Sequence, residues 1–329
     1  MTMTVLGPLP ARSDVLDVVR DWRIDSLIEV LGQEKEVVDA ALARLDYNRD
    51  LRPQLFVPPS LGEVPLAFTG PHSTYVCVNQ KGGAGKTTTS VELAAAWIAM
   101  GYTVRIIDAD TQDASLSTEW ILPNYEGIAE HERYSLTDVL FGRQPLDEAT
   151  YETSIRGLYI VPSGDHLGAV EYDPAGARDG SLRKAIRQSK ADVDITIIDA
   201  PPALGKLSVN GLIAADQVIV PLKVGALDKS ALRKLAETIR AVQEDGNPEL
   251  RVAAGVMTGY DRSNYAGIVA ATLRRDFPEA IVASARRNVR VAAAAEDHLP
   301  VRVTDPKGTT TSDYDQLARL LLPVKGATR

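Results

Sequence analysis

The stretch from Tyr75 to Ser90, YVCVNQKGGAGKTTTS, combines residue types whose spacing suits phosphate binding. An apolar run leads into a glycine-rich turn, and the residues after the turn predict the start of a helix. Backbone N–H groups in such a turn form an anion site together with the positive end of the helix dipole. Glycine is required where a Cβ would keep the backbone away from a phosphate. The predicted nucleotide-binding residues are Gly82, Gly83, Ala84, Gly85, Lys86, Thr87 and Thr88.

Two lysines give this turn its chemistry. Lys86 would neutralise charge on the outer phosphates, and the Thr87 hydroxyl would ligate Mg²⁺. The pattern G-x-x-x-x-G-K-[ST] fails at its first glycine, because that position holds Gln80. A second lysine, Lys81, lies five residues before Lys86 and could reach the phosphates of a partner chain across an interface. The alternative for Lys81 is a solvated loop lysine.

Two acidic residues follow the apolar stretch VRII at 104–107. Asp108 and Asp110 would point the same way along an extended chain, because successive residues alternate faces. Near a nucleotide, one of the two could orient the attacking water while the other supports the metal shell, and Asp108 is counted among the nucleotide-binding residues. The alternative is a pair of solvated acids at the end of a strand.

A third acid, Asp199, ends the apolar stretch ITII at 195–198. A carboxylate at the end of a buried strand can hold the Mg²⁺ shell opposite Thr87. Pro201 and Pro202 restrict the backbone of the next loop, which predicts a γ-phosphate sensor there.

Alternating strand and helix patterns begin near residue 73 and predict the elements that position these groups. The predicted strands are 74–79, 103–108, 158–161, 194–199, 217–222, 252–257 and 280–284. The predicted helices include 87–100, 182–189, 229–243 and 265–277. Near-continuous apolar strands separated by helices indicate an α/β fold: a mostly parallel, doubly wound sheet with helices on both faces. The glycine loop after the first strand makes this a fold of the P-loop NTPase type. Ligands of such sheets bind beyond the carboxyl ends of the strands.

Residues 1–70 differ in pattern and predict a small N-terminal helical extension and linker, while 71–329 form the ATPase-type domain. Apolar residues on both sides of Gly32 have helix–turn–helix spacing. The second of these helices would be acidic, QEKEVVDAALARL. Two interpretations stay open, a DNA-reading arm and a dimerising or docking arm.

Composition sets the compartment and the charge. No apolar run approaches the roughly 18 residues that span a bilayer, and the N-terminus lacks a signal-peptide pattern. Cys77 is the only cysteine of 329 residues, which excludes internal disulfides and predicts a cytoplasmic protein.

Charge is distributed unevenly along the chain. Residues 251–329 carry a net charge of +4, which leaves −12 for residues 1–250 because the whole chain is −8. The basic quarter is either a patch for a polyanion or a solvated face.

The ordered motifs resemble the ParA-type ATPases of the deviant Walker A class, which also contains MinD. The resemblance extends from residue 75 to 322. It rests on NQKGGAGKTT (79–88), DADTQ (108–112), IIDAPPALG (197–205), AADQVIVPL (214–222), GYDRSN (259–264), RNVR (287–290) and YDQLARLL (314–321).

This resemblance implies a slow ATPase with ATP and Mg²⁺ as cofactors, which dimerises face to face around two ATP molecules. Lys81 would cross the interface, and Asp110 would position the hydrolytic water. The ATP-bound dimer would bind DNA non-specifically, on the nucleoid, until a ParB-like partner stimulates hydrolysis. Arg262 and Arg290 match basic DNA contacts of relatives. Relatives usually have Pro and Gly where this chain has Thr111 and Asp113, which leaves the hydrolysis rate open.

Two alternatives remain for the function. One is a MinD-like or other cargo-positioning ATPase. Membrane cycling of the MinD kind would need a basic amphipathic C-terminal helix, whereas Pro323 stops the helix here. A transcriptional autoregulator would use the N-terminal helical arm on an operator.

Overall fold

The computed structural model describes residues 72–111, 128, 133–153, 155–164, 166–172, 178–224, 229–260 and 264–322, with only the backbone of 264 and 265. The predicted extension 1–70 lies outside the described residues, as do Asp113 and Arg262. The domain boundary at residue 71 therefore stays a prediction.

The described strands form one sheet in the order β3-β4-β2-β5-β1-β6-β7-β8. The strands are β1 Ser73–Cys77, β2 Val104–Asp108, β3 Tyr151–Glu152, β4 Leu158–Val161, β5 Ile195–Asp199, β6 Gln217–Lys223, β7 Arg251–Tyr260 and β8 Ile281–Arg286. All neighbours pair in parallel except β3 and β4, which are antiparallel. The predicted, mostly parallel sheet is confirmed.

Helices cover both faces of this sheet. They are α1 Lys86–Ala99, α2 Leu136–Leu140, α3 Ser181–Gln188, α4 Lys206–Ala214, α5 Lys229–Asp245, α6 Asn264–Asp276, α7 Val289–Glu296, α8 Val301–Thr304 and α9 Thr309–Leu321. Alternate residues of β1 enter different cores: Tyr75 packs with α1 and α9, and Val76 packs with α4 and α5. This alternation is the two-residue period of a strand buried on both faces. None of the described helices is both long and apolar enough to cross a membrane.

Helix α4, which is not among the helices named from the sequence, contains a glycine, Gly211. A Cβ added at Gly211 would lie 3.3 Å from a Val76 methyl and 3.4 Å from an Ile198 methyl. The glycine therefore lets α4 approach β1 and β5 closely. Tight helix–sheet packing offsets the low helix propensity of glycine at this position.

Side chains of the sheet and of α1 hold the C-terminal end of α9. The Tyr75 hydroxyl donates to the Leu321 carbonyl at 2.7 Å, and the Trp97 indole N–H donates to the Ala318 carbonyl at 3.1 Å. The two rings pack with their centroids 4.8 Å apart. Carbonyls in the last turn of a helix lack partners within the helix, so these contacts satisfy groups that would otherwise need water.

A buried cluster of charged residues joins α1 to the C-terminal helices. The Glu92 carboxylate on α1 accepts a hydrogen bond from the Val301 N–H at 2.7 Å. The neighbouring Arg302 is ion-paired with Asp315 of α9, and all three charged side chains are buried. Burial raises the pKa of Glu92 to about 7, although the Val301 hydrogen bond and the charge of Arg302 both lower it.

The contact between Tyr75 and α9 can be tested by removing one oxygen atom. We expect Tyr75→Phe to lower the free energy of unfolding by about 1–3 kcal/mol, because the buried Leu321 carbonyl loses its donor. Tyr172→Phe is the matched control, since Tyr172 is 89% exposed, and it should change stability by less than about 0.5 kcal/mol. Urea unfolding followed by circular dichroism measures both. Equal midpoints for the two variants would contradict the docking role of Tyr75.

The raised pKa of Glu92 predicts a pH-dependent stability. Between its ordinary pKa of 4.5 and about 7, the folded chain binds a proton that the unfolded chain does not. The stabilisation from the protonated form is complete at low pH and is lost as the pH rises through about 7. Glu92→Gln keeps the acceptor for Val301 but cannot titrate. The measured quantity is the free energy of unfolding of the wild type minus that of Glu92→Gln. We expect this difference to fall by about 1–3 kcal/mol between about pH 5 and pH 8. Parallel pH profiles would show that Glu92 does not titrate in this range.

Candidate nucleotide site and basic surface

The predicted phosphate loop connects β1 to α1, and the side chain of Asn79 fixes its first half. The Asn79 amide donates to the Pro221 carbonyl on β6 at 2.5 Å. Its oxygen accepts the N–H of Lys81 at 3.1 Å. Gly83 and Gly85 have φ values of +67° and +89°, which side chains rarely tolerate. The loop therefore has the backbone that its glycines predicted.

Thr258 holds the second half of the loop, and the sequence reasoning missed it. Its hydroxyl donates to the Ala84 carbonyl at 2.9 Å. A Cβ at Gly85 would lie 3.0 Å from the Thr258 methyl, so this glycine is required by packing as well as by φ. The available signal was a polar residue directly after the predicted strand 252–257, where the structure extends β7 to Tyr260.

The helix that starts at Lys86 presents its first residues to the loop. Lys86 is 6% exposed, and Thr87 and Thr88 are half-buried. The turn residues Gly82 and Gly83 and the side chain of Lys81 are exposed. The structure thus separates the two lysines, with Lys86 inside the site and Lys81 on the surface.

Asp199 ends β5 and is held by two hydroxyls of α1. Thr87 donates to one carboxylate oxygen at 2.6 Å, and Ser90 donates to the other at 3.0 Å. Asp199 is 1% exposed. Burial raises its pKa to about 6, because desolvation outweighs the hydroxyls and the nearby charge of Lys86. Ser90 was missed, although its position three residues after Thr87 puts both on one helix face.

Asp108 and Asp110 lie beside Asp199 at the carboxyl edge of the sheet. Asp108 pairs with Asp199 across β2 and β5, and the charge of Asp110 contributes to the raised pKa of Asp199. Both acids are buried, so the alternative interpretation as solvated acids is wrong. The extended geometry that predicted a shared direction ends at Asp108, because its carboxylate accepts the Asp110 N–H at 3.1 Å and turns the chain.

The loop after β5 is fixed at both ends. The Ala200 N–H donates to the Cys77 carbonyl at 3.1 Å, and Pro201 next to it is buried. At the other end, the Glu171 carboxylate accepts the first two N–H groups of α4, from Lys206 at 2.7 Å and Leu207 at 3.1 Å. Glu171 was not predicted, because it lies in a short 3₁₀ helix far away in the sequence.

Arg286, Arg287 and Arg290 are exposed at the far end of the sheet, and we call these three residues the basic surface. Arg290 is in the first turn of α7, which follows edge strand β8. Its N–H donates to the Asn288 side chain, which caps the helix. Its side chain is 59% exposed. The structure therefore places Arg290 on the carboxyl edge of the sheet but three strands away from the phosphate loop.

The donor atoms of the nucleotide site suit a hard cation. A hydroxyl oxygen of Thr87 and a carboxylate oxygen of Asp199 meet at the end of the loop. In the described part of the chain, no group of three or more His, Cys, Asp or Glu residues could hold a metal ion. Mg²⁺ needs no such group, because phosphates and water supply most of its ligands.

Comparisons with known proteins agree with this site. An AAA domain family matches residues 73–252, which is more than half of the chain. The chromosome partitioning protein ParA of Caulobacter vibrioides is 38% identical over 248 residues, which cover 73% of this chain and 90% of that protein. The sporulation initiation inhibitor protein Soj of Bacillus subtilis is 31% identical over 246 residues, 73% of this chain and 94% of that protein.

A solved structure extends the comparison to the fold. The cobyrinic acid a,c-diamide synthase of Mycobacterium smegmatis, determined with bound ADP and magnesium, is 26% identical and has a TM-score of 0.61. The match covers 75% of this chain and 93% of that one. Because the family match and the ParA relative each cover most of the sequence that carries the site, this chain belongs to the AAA domain family and, within it, to the ParA-type ATPases.

Proposed function

We propose that this chain is a DNA-segregating ATPase that works as an ATP-dependent homodimer. In this proposal the dimer binds DNA non-specifically and is released when a ParB-like partner stimulates slow ATP hydrolysis. The observation that carries the proposal is the hydrogen bond from Thr87 to the buried Asp199, directly behind a phosphate loop that has a second, exposed lysine. The names of the ParA and Soj relatives support the role in segregation.

ATP and Mg²⁺ fit the phosphate loop. A Cβ added at Gly82 or Gly83 would have no other atom within 4 Å, so the backbone there is open to a phosphate. Lys86 and the first N–H groups of α1 would bind the outer phosphates. Thr87 would ligate Mg²⁺, with Asp199 holding its water shell. When bound, the ion neutralises charge on the phosphates. ADP and magnesium in the synthase structure support this assignment.

Hydrolysis requires a positioned water molecule, and we assign the positioning of that water to Asp110. Asp108 fixes the turn that carries Asp110, and a water aligned by that carboxylate could attack the terminal phosphate. Pro201 would sense the presence of that phosphate, because its loop is held between Cys77 and Glu171 and begins directly after Asp199.

Lys81 would complete the site of a partner chain. The Asn79 side chain holds the backbone of Lys81, and Lys81 is exposed. A cation delivered in trans stabilises transition-state charge only in the dimer. Hydrolysis would therefore depend on dimerisation.

Arg290 would bind DNA through phosphates. An exposed guanidinium in the first turn of a helix suits phosphate contacts, which carry no sequence information. Arg262 would contribute a second contact, although it lies outside the described residues. Binding of this kind weakens steeply with salt, and in a bacterial cell it would place the ATP-bound dimer on the nucleoid.

Substitutions of the two lysines should affect nucleotide binding and dimerisation separately. Lys86→Ala should lose ATP binding, because it removes the buried charge facing the phosphates. Lys81→Ala should bind ATP like wild type but remain a monomer, because only the partner's site loses a cation. Fluorescent ATP titration and light scattering with and without ATP measure the two properties. An ATP-dependent dimer of Lys81→Ala, or wild-type ATP affinity of Lys86→Ala, would refute the respective assignment.

Reversal of charge at Arg290 should remove DNA binding and leave ATP binding intact. We expect Arg290→Glu to weaken ATP-dependent DNA affinity at least about tenfold, because a phosphate contact becomes a repulsion. Arg319→Glu is a matched control: it reverses an exposed charge on α9, about 15 Å along the helix from its start beside the basic surface. Anisotropy of a labelled mixed-sequence duplex across a salt series measures both variants. Equal losses in the two variants would mean that overall charge, and not Arg290, decides binding.

A further inference from the structure

Two arginines of the basic surface are each paired with an aspartate of the same chain. Arg286, the last residue of β8, forms a two-pronged ion pair with Asp313, with nitrogen–oxygen distances between 2.6 and 3.0 Å. Arg290 lies 3.1 Å from Asp305. The arginine side chains are 46% and 59% exposed, whereas the aspartate side chains are 11% and 20% exposed. The carboxylates therefore lie beneath the arginines, on the protein side.

Other groups of the chain keep these carboxylates in position. Asp305 also accepts a hydrogen bond from the Asn288 side chain at 3.2 Å. Asp313 also accepts the backbone N–H of Arg286 at 2.8 Å. Each aspartate is thus fixed by its place at the end of α8 or in α9 and by a second donor. The pairs are part of the fold and not chance encounters of long side chains.

We propose that Asp305 and Asp313 compete with DNA phosphates for Arg290 and Arg286, and so set the affinity of the surface and restrict it to polyanions. This inference rests on the proposed DNA binding. A guanidinium fork that is filled by a carboxylate, as at Arg286, cannot bind a phosphate in the same two-pronged geometry. At Arg290, Asp305 occupies one guanidinium nitrogen, which a two-pronged phosphate contact would also need. A phosphate must therefore displace the aspartate before it gains the full contact.

The strength of the pairs determines what can displace them. Ion pairs at a protein surface are weak and are screened by salt. A DNA backbone presents several phosphates at once, so it can open both pairs together and gain from each new contact. A single small anion gains one contact at most. The aspartates would therefore reduce binding of free phosphate or nucleotide to this surface while permitting binding of DNA.

Asp305→Asn and Asp313→Asn test the competition directly. Asparagine has the size of aspartate and keeps an oxygen for the second donor, but it lacks the charge. We expect each variant to bind a labelled mixed-sequence duplex about two- to fivefold more tightly than wild type. The full chain is measured with ATP and Mg²⁺ at constant salt. Asp297→Asn is the matched control, because it removes an exposed charge at the end of α7 and should change affinity less.

A double-mutant comparison separates competition from the general effect of charge. In an Arg290→Gln background, Asp305→Asn should give no gain beyond that of Asp297→Asn, because the arginine that it frees is absent. A gain that persists in that background, or a loss of affinity in both single variants with unchanged melting temperature, would overturn the competition. Absence of DNA binding by wild type itself would refute the proposed function instead.

Discussion

The nucleotide site depends on one buried carboxylate. Burial of a charge is costly unless hydrogen bonds or an opposite charge offset it. Asp199 receives hydroxyl donors from Thr87 and Ser90, and both belong to the first two turns of α1. The same contacts that satisfy the acid therefore fix the start of α1 against β5. The raised pKa shows that the hydroxyls offset only part of the desolvation. A cation bound beside Asp199 would offset the rest, which couples metal binding to the position of the helix.

Helix α1, which carries Thr87 and Ser90, is also connected to the basic surface through α8. Glu92 on α1 accepts the N–H of Val301, the first residue of α8. Asp305, directly after α8, pairs with Arg290. With four residues, α8 is only about 6 Å long, so a few contacts connect the nucleotide helix to the arginines. If ATP raises DNA affinity along this connection, DNA must raise ATP affinity by the same factor, because coupling between two binding sites is reciprocal.

The sequence predicted what depends on local pattern and missed what depends on distant partners. The strand 158–161 was predicted with its observed bounds, and most of the other strands to within two residues, because apolar runs end where the chain leaves the sheet. The phosphate loop was predicted because glycines and lysines are close in the sequence. Thr258 and Glu171 were missed, because each acts on a residue that is distant in the chain.

Charged residues in helices were the hardest to interpret. Glu92 on α1 and Arg302 on α8 look like solvated helix residues in the sequence. In the structure both side chains are buried, and the charge of Arg302 acts on Glu92. Helical periodicity cannot distinguish a polar face that meets water from one that meets a buried partner.

The charge of the chain explains why carboxylates can be useful at a surface that binds a polyanion. With a net charge of −8, the protein as a whole would repel DNA, and the proposed binding would depend on a local cluster of arginines. Arginines left alone at such a cluster would bind any small anion and would lose much side-chain freedom on each contact. A carboxylate beneath each guanidinium keeps the fork ordered and facing outward, which reduces the entropy lost on binding. The same carboxylate must be displaced by the ligand. Under the proposed competition, affinity would be set by the difference in free energy between two similar ion pairs, one with the aspartate and one with the phosphate.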